Sequence, residues 1–133
     1  MKDLKSVIKA IAAIAPVSGK ATAAAIAIDR QGYESVTVVS TLGAGAYTSS
    51  AYYTPTLTES DDGVTYTAVP ENKYIGDLTP VKATISAAEV RTIGYIGDKR
   101  YVKFAQVVTG TLGADVIVAA VAVLGHPHLS PVA

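Results

Sequence analysis

Two histidines, His126 and His128, stand either side of Pro127 in the closing stretch GHPHLSPVA, and the chain has no others. Alternate residues of an extended segment project to the same side, so the pair could chelate a metal ion. Two ligands do not complete a transition-metal site, and the rest would have to come from distant carboxylates or from symmetry-related copies. Glu59, Asp61 and Asp62 in ESDDG form a second cluster. Carboxylates at this density could ligate calcium, which takes about six to eight oxygens, or flank a glycosidic bond as an acid/base pair. The spacing is not that of an EF-hand, and a turn tip is poorly shielded from water, so a structural turn is the expectation. There is no Gly-rich phosphate loop, no nucleophile elbow and no histidine set beside a Ser/Asp constellation. The expectation is therefore no catalytic residues, no metal, no cofactor and no enzyme activity.

The remaining chemistry is that of contact. Eight tyrosines (Tyr33, Tyr47, Tyr52, Tyr53, Tyr66, Tyr74, Tyr95 and Tyr101) could stack on sugars or bases, but tyrosine also serves strands and protein interfaces, burying a ring while its hydroxyl stays wet. The absence of Trp weakens the sugar reading. Tyr52 and Tyr53 are the neighbours that an adhesion or carbohydrate-binding module would expose. Lys99, Arg100 and Lys103 follow the Gly97-Asp98 turn, and three charges give little affinity for nucleic acid. They read as a solvated strand end or as a contact to an acidic patch on a partner. Pro127 and Pro131 cannot donate ladder hydrogen bonds, so residues 126–133 are expected as an extended tail, with His126, Pro127, His128 and Leu129 as contacts.

At 133 residues the chain suits one domain. Half of it is hydrophobic, mostly Ala, Val and Ile with a single Phe, a composition that favours packed sheets. Eleven basic and eleven acidic residues cancel, so no global field attracts nucleic acid or an anionic membrane. Without cysteine, disulfides, thiol catalysis and Cys-based zinc sites are excluded. The start, MKDLKSVIKAIAAIAPVSGKA, combines lysines with an apolar run, but Asp3 and Lys9 interrupt the pattern of a secretory signal. The apolar run from Val116 to Gly125 is shorter than the about 20 residues that a membrane-spanning helix needs.

In residues 1–19, Leu4, Val7, Ile8, Ile11 and Ile14 recur at spacings of three and four, which predicts one face of a helix, capped by Asp3 and ended by Pro16. An extended arm docking on a neighbouring molecule is the alternative. From residue 20 to 125 the period becomes that of strands, predicted at 23–29, 34–42, 51–59, 64–69, 89–96, 100–109 and 115–124. Seven strands predict a single-domain, all-β, antiparallel sandwich. Asp62-Gly63 predicts a two-residue turn placing Leu57 across from Ala68 and Glu59 across from Tyr66, with Tyr53, Leu57, Val64, Tyr66 and Ala68 on one face. Gly97-Asp98 predicts a second such hairpin, pairing Tyr95 with Arg100, Ile93 with Val102 and Arg91 with Phe104. The last strand is apolar on both faces, Val116, Val118 and Leu124 against Ile117, Val121 and Val123. It therefore belongs mid-sheet, covered on both sides or closed by another subunit. The connection at 70–88 is too long for a hairpin and is expected to cross between sheets or carry an irregular turn.

Taken together, DRQGYESVTVV (29–39), TLTESDDGVTYTAV (56–69), VRTIGYIGDKRYVKF (90–104) and AVAVLGHPHLSPV (120–132) resemble a family of small tailed-phage and prophage structural proteins. The resemblance covers most of the chain from about residue 20 and implies a jelly-roll-like β-sandwich that decorates or cements a capsid or forms the base of a head projection. It implies no catalytic residues. It implies a virion protein on the capsid surface, present in the host cytoplasm during assembly, with the major capsid protein and its own copies, as a trimer or pentamer, as partners. Neither nucleic acid nor membrane is an expected partner. A neck or tail component of the virion and a carbohydrate-binding module are the alternatives. The contact residues expected on this reading are Leu4, Val7, Ile8, Ile11, Tyr52, Tyr53, Lys99, Arg100, His126, Pro127, His128 and Leu129.

Overall fold

The computed structural model describes residues 3–128. Its strands are β1 (Lys9–Gly19), β2 (Ile28–Asp29), β3 (Tyr33–Leu42), β4 (Tyr52–Ser60), β5 (Thr67–Ala68), β6 (Tyr74–Ile75), β7 (Glu89–Tyr95), β8 (Tyr101–Thr109) and β9 (Val116–Pro127). They form an antiparallel sandwich of a five-stranded sheet, β1-β9-β3-β7-β6, on a four-stranded sheet, β2-β8-β4-β5. The period-2 alternation of YESVTVVSTL explains the pairing of layers. Val36, Val38, Ser40 and Leu42 are buried, while the residues between them face outward. In the opposite sheet Val102, Phe104 and Gln106 of β8 and Tyr53 and Leu57 of β4 close the core from the other side. The Tyr47 and Tyr53 rings meet edge to face, centroids 5.8 Å apart, a favoured aromatic geometry. Burial pushes the Tyr47 phenol up to about 12, and its hydroxyl donates to the Gly43 carbonyl at 2.7 Å.

Residues 3–19 are neither an amphipathic helix nor a free arm. Lys5–Val7 form one 3-10 turn, and β1 pairs antiparallel with β9, setting Ile11 beside Ala122 and Ile14 beside Ala120. Branched Val and Ile lose rotamer freedom in a helix and fit a pleated surface, and the apolar β9 offers a ladder to complete. Pro16 does not end the element, because it lies on an edge strand at the register shift between Ile14 and Val17, where a missing N–H is harmless.

Strands 3, 4, 8 and 9 lie close to where the alternation predicts them, but both hairpin registers need correction. The strand predicted at 64–69 is only Thr67–Ala68, paired as Thr58 with Ala68 and Glu59 with Thr67, one residue out of the predicted register. The loop is longer than two residues because its polar side chains bond it internally. Ser60 Oγ accepts from the Asp62 and Gly63 amides, and Asp62 Oδ1 accepts from the Val64 and Thr65 amides at 2.8 and 3.0 Å. Val64 is consequently 82% exposed instead of sharing a face with Leu57. Gly97-Asp98 closes no hairpin at all, since β7 pairs with β3 and β6 while β8 pairs with β4 and β2. The chain crosses there from one sheet to the other over Tyr95, whose hydroxyl accepts from the Lys99 amide at 3.0 Å and donates to buried Glu59 at 3.2 Å. A Cβ at Gly97 would meet that hydroxyl at 2.4 Å, so the crossing needs glycine. The 70–88 connection also crosses between sheets as expected, from β5 through a 3-10 turn at Glu71–Lys73 to β6. The strand predicted at 23–29 shrinks to Ile28–Asp29.

Candidate functional site

Strand β9 lies between β1 and β3 and extends to Pro127, so its second apolar face becomes the centre of the outward face of the five-stranded sheet. Directly opposed residues of antiparallel strands share a face, and the register builds this surface row by row. Ala12, Val121, Val39 and Thr92 form one row. Ala119, Thr41 and Val90 form a second, Ala10, Val123, Thr37 and Gly94 a third, and Ser18 with Ile117 a fourth. Ile117 is 62% exposed, Val90 61% and Val121 42%. None of these outward positions carries a charge. The charged residues of the same strands have the opposite phase: Lys9 is beside buried Leu124, and Arg91 is beside buried Ser40. Arg91 is held at the sandwich rim by Glu89 and by the Thr79 carbonyl. The outward face of the four-stranded sheet differs in carrying a charge, setting the threonines of β4 beside Tyr101, Lys103, Ala105 and Val107 of β8.

At the β9 C-terminal end of the uncharged face, the N-terminal turn folds over the sheet. Asp3 holds this turn, accepting from the Ser6 amide at 3.3 Å and from the Ser6 hydroxyl, and these bonds keep its carboxyl below the usual range. Leu4, Val7 and Ile8 stand opposite Ser35, Thr37, Val123 and Gly125, with His126 and Pro127 closing the end, around a groove of about 620 Å³. The contact residues expected at the two ends of the chain thus meet in one groove. Ile11 is not among them, being partly buried against the core on the other face of β1.

The histidines do not act as a pair. His126 has φ 51°, a left-handed bend near the end of β9, and its Nδ1 lies 2.8 Å from Ser35 Oγ. His128 faces Glu34, its Nε2 3.2 Å from the carboxylate, while its amide donates to the Gly32 carbonyl. Among the described residues no three His, Asp or Glu side chains gather to hold a metal. His126 and Pro127 belong to β9 and not to a projecting tail, whereas Leu129 and the rest of 129–133 lie outside the described residues. The ESDDG carboxylates are likewise occupied in structure. Asp62 accepts from two loop amides and the Ser60 hydroxyl, which lowers its carboxyl to about 2. Asp61 pairs with Lys99 at 2.6 Å and raises that ammonium's pKa.

The basic cluster is dispersed by partners. Arg100 grips Asp29 through two hydrogen bonds of 2.9 and 2.8 Å, lowering the Asp29 carboxyl, and Lys103 sits 4.3 Å over the Tyr66 ring. Neither Lys99 nor Arg100 is therefore an unpaired contact. A second cleft of about 590 Å³ runs between Arg30, Tyr33, Glu34, Gly97, Asp98 and His128. Arg30 bonds the Lys99 and Tyr33 carbonyls there, so its charge is directed inward. Tyr53, expected as a contact, is 1% exposed and part of the core. Tyr52 is half-buried with the Lys82 ammonium 4.6 Å over its ring, which leaves no two-ring platform for a sugar at this pair.

Val39, Val90 and Thr92 join the surface without having been marked in the sequence. Val90 carried a usable signal: in EVRTIGY it occupies the phase that should face water, yet it is apolar. No protein-family model, no curated protein and no solved structure matches the chain.

Proposed function

We propose that this chain is a structural component of a tailed-phage virion that binds the outer surface of the capsid and stabilises or decorates the shell. The observation that supports the reading is the convergence of Leu4, Val7 and Ile8 with His126 and Pro127 on one apolar groove. Residues from the two ends of the chain meet there on an uncharged sheet. Such a groove suits the insertion of an apolar segment of a partner protein, here the major capsid protein. Repeated copies on the shell lattice would bind multivalently, so that modest single contacts hold firmly. Trimeric or pentameric copies at symmetry positions, a jelly-roll-like winding, a location on the virion surface and a passage through the host cytoplasm during assembly belong to the same proposal.

The test uses virions of the phage or prophage that encodes the chain, labelled with an antibody against it. Label over the outer shell supports the proposal. Label confined to the neck or tail transfers the chain to that part of the virion, and virions without label overturn the reading. Replacing Leu4→Asp and Ile8→Asp together should abolish co-sedimentation with shells while leaving the circular dichroism of the sandwich unchanged.

A further inference from the structure

The loop between β4 and β5 contains the chain's single Asp-Gly pair, Asp62-Gly63. This linkage is prone to rearrange in open chains, because glycine puts no side chain in the way of ring closure. The Gly63 amide nitrogen attacks Asp62 Cγ and forms an N–Cγ bond, while the amide proton and the carboxyl OH leave as water. Water then reopens the resulting succinimide. Addition at Cγ restores aspartate, whereas addition at the Asp62 main-chain carbonyl breaks its bond to the Gly63 nitrogen and routes the chain through Cγ as isoaspartate. The fold nevertheless uses this pair: Gly63 has φ 76°, the left-handed region that favours glycine, and Asp62 accepts from two loop amides.

We infer that Asp62-Gly63 is a latent isomerisation site held shut by Ser60, so that the linkage converts only while the loop is open. Each requirement of ring closure is blocked by a bond of the folded loop. The attacking nitrogen must shed its proton, but the Gly63 N–H is donated to Ser60 Oγ at 2.9 Å. Asp62 Cγ must swing onto that nitrogen, but Oδ1 is fixed by the Val64 and Thr65 amides and by the Ser60 hydroxyl, which donates to it at 2.8 Å. The carboxyl must be protonated to lose its OH, and these donors lower it to about 2, leaving it ionised at neutral pH. The Tyr101 ring lies over Gly63, 3.3 Å from where a Cβ would stand. Ser60 is the positioning residue because it touches both reacting groups, accepting from the nucleophile and donating to the carboxylate. It ends β4, is 3% exposed and pairs with Tyr101 of β8, so the guard is rooted in the sheet and not in the loop. Isoaspartate lengthens the main chain by one methylene and moves the carboxylate off the Val64 and Thr65 amides, so a converted loop cannot re-form these bonds.

The inference does not rest on the virion reading and is tested on the purified chain. The folded protein and the synthetic peptide TLTESDDGVTYTAV (56–69) are incubated side by side at neutral pH, and isoaspartate at position 62 is read by peptide mapping with isoaspartyl methyltransferase labelling. The folded chain should convert at least about tenfold more slowly than the peptide, because the rate follows the open population. The same chain in urea should convert at the peptide rate. Ser60→Ala, shown by circular dichroism to be folded, should convert about tenfold faster than the parent, and Ser60→Thr, which keeps the hydroxyl, should stay slow. Val64→Pro removes one amide donor at an exposed residue and is read in the same way should Ser60→Ala not fold. A folded parent that converts at the peptide rate overturns the inference. So does a folded Ser60→Ala or Val64→Pro chain no faster than the parent, or a folded Ser60→Thr chain as fast as Ser60→Ala.

Discussion

Gln106 is the position where the packing makes the sharpest energetic claim. It lies on β8 in the inward phase between Phe104 and Val108, is 2% exposed, and its Oε1 has no hydrogen-bond partner among the described residues. Opposite it stands Pro55, which has no amide proton to offer. Proline is tolerated there because β5 pairs only with Thr58 and Glu59, so β4 has one neighbour at that level. A buried acceptor left unsatisfied costs about 1–3 kcal/mol, while a near-isosteric replacement costs less than about 1.5 kcal/mol in repacking. Gln106→Met keeps the length of the side chain and removes the orphaned oxygen. It should stabilise the fold by about 1 kcal/mol, raising the melting temperature by about 3–6 °C for a chain of this size. Gln106→Glu puts a carboxyl in the same place and should cost at least about 2 kcal/mol at neutral pH. Urea unfolding followed by circular dichroism reads both, with unchanged m-values required for the comparison. A Gln106→Met protein less stable than the parent, or a Gln106→Glu protein as stable as it, would refute the reasoning, because either result means that Oε1 is satisfied in solution.

Gly110 has φ 78°, and a Cβ there would fall 1.9 Å from the Ser50 carbonyl oxygen; Gly110→Ala should therefore lose at least about 1–3 kcal/mol, visible as a lower thermal midpoint. Asp62 has a folded-state pKa of about 2 against the ordinary 3.8, so its contribution is complete above pH 3.8 and drains away as pH falls towards 2. Acid unfolding monitored by fluorescence should show this slope, and Asp62→Asn, which keeps an acceptor for the Val64 and Thr65 amides, should flatten it. The Asp29–Arg100 pair is bidentate but exposed, so a double-mutant cycle with Asp29→Ala and Arg100→Ala should return a small coupling that fades as salt is added. Removing residues 126–133 truncates β9 at its pairing with Tyr33 and should lower the melting temperature clearly.

What the sequence by itself determined was local. The alternation of YESVTVVSTL and the double-sided apolar run from Val116 onward placed β3 and β9, because a period of two has one physical meaning once one face is buried. The same run announced that β9 sits mid-sheet with a second face needing cover. Spacing alone could not separate helix from strand in residues 4–14, where apolar residues at three and four also fit a bulged strand; the free edge of β9 decided that. Nor could it say that Gly97-Asp98 carries the chain between sheets, since turn chemistry is short-range and the choice of partner strand was made by β3 and by the buried Tyr95–Glu59 contact. The histidines look like a pair one residue apart, and only the bend at His126 and the positions of Ser35 and Glu34 separate them. The candidate surface itself is a tertiary property. Ala12, Val39, Val90 and Val121 are scattered through the sequence, and only the sheet order β1-β9-β3-β7 makes them one uncharged face, because backbone hydrogen bonding between distant strands brings their outward side chains into register.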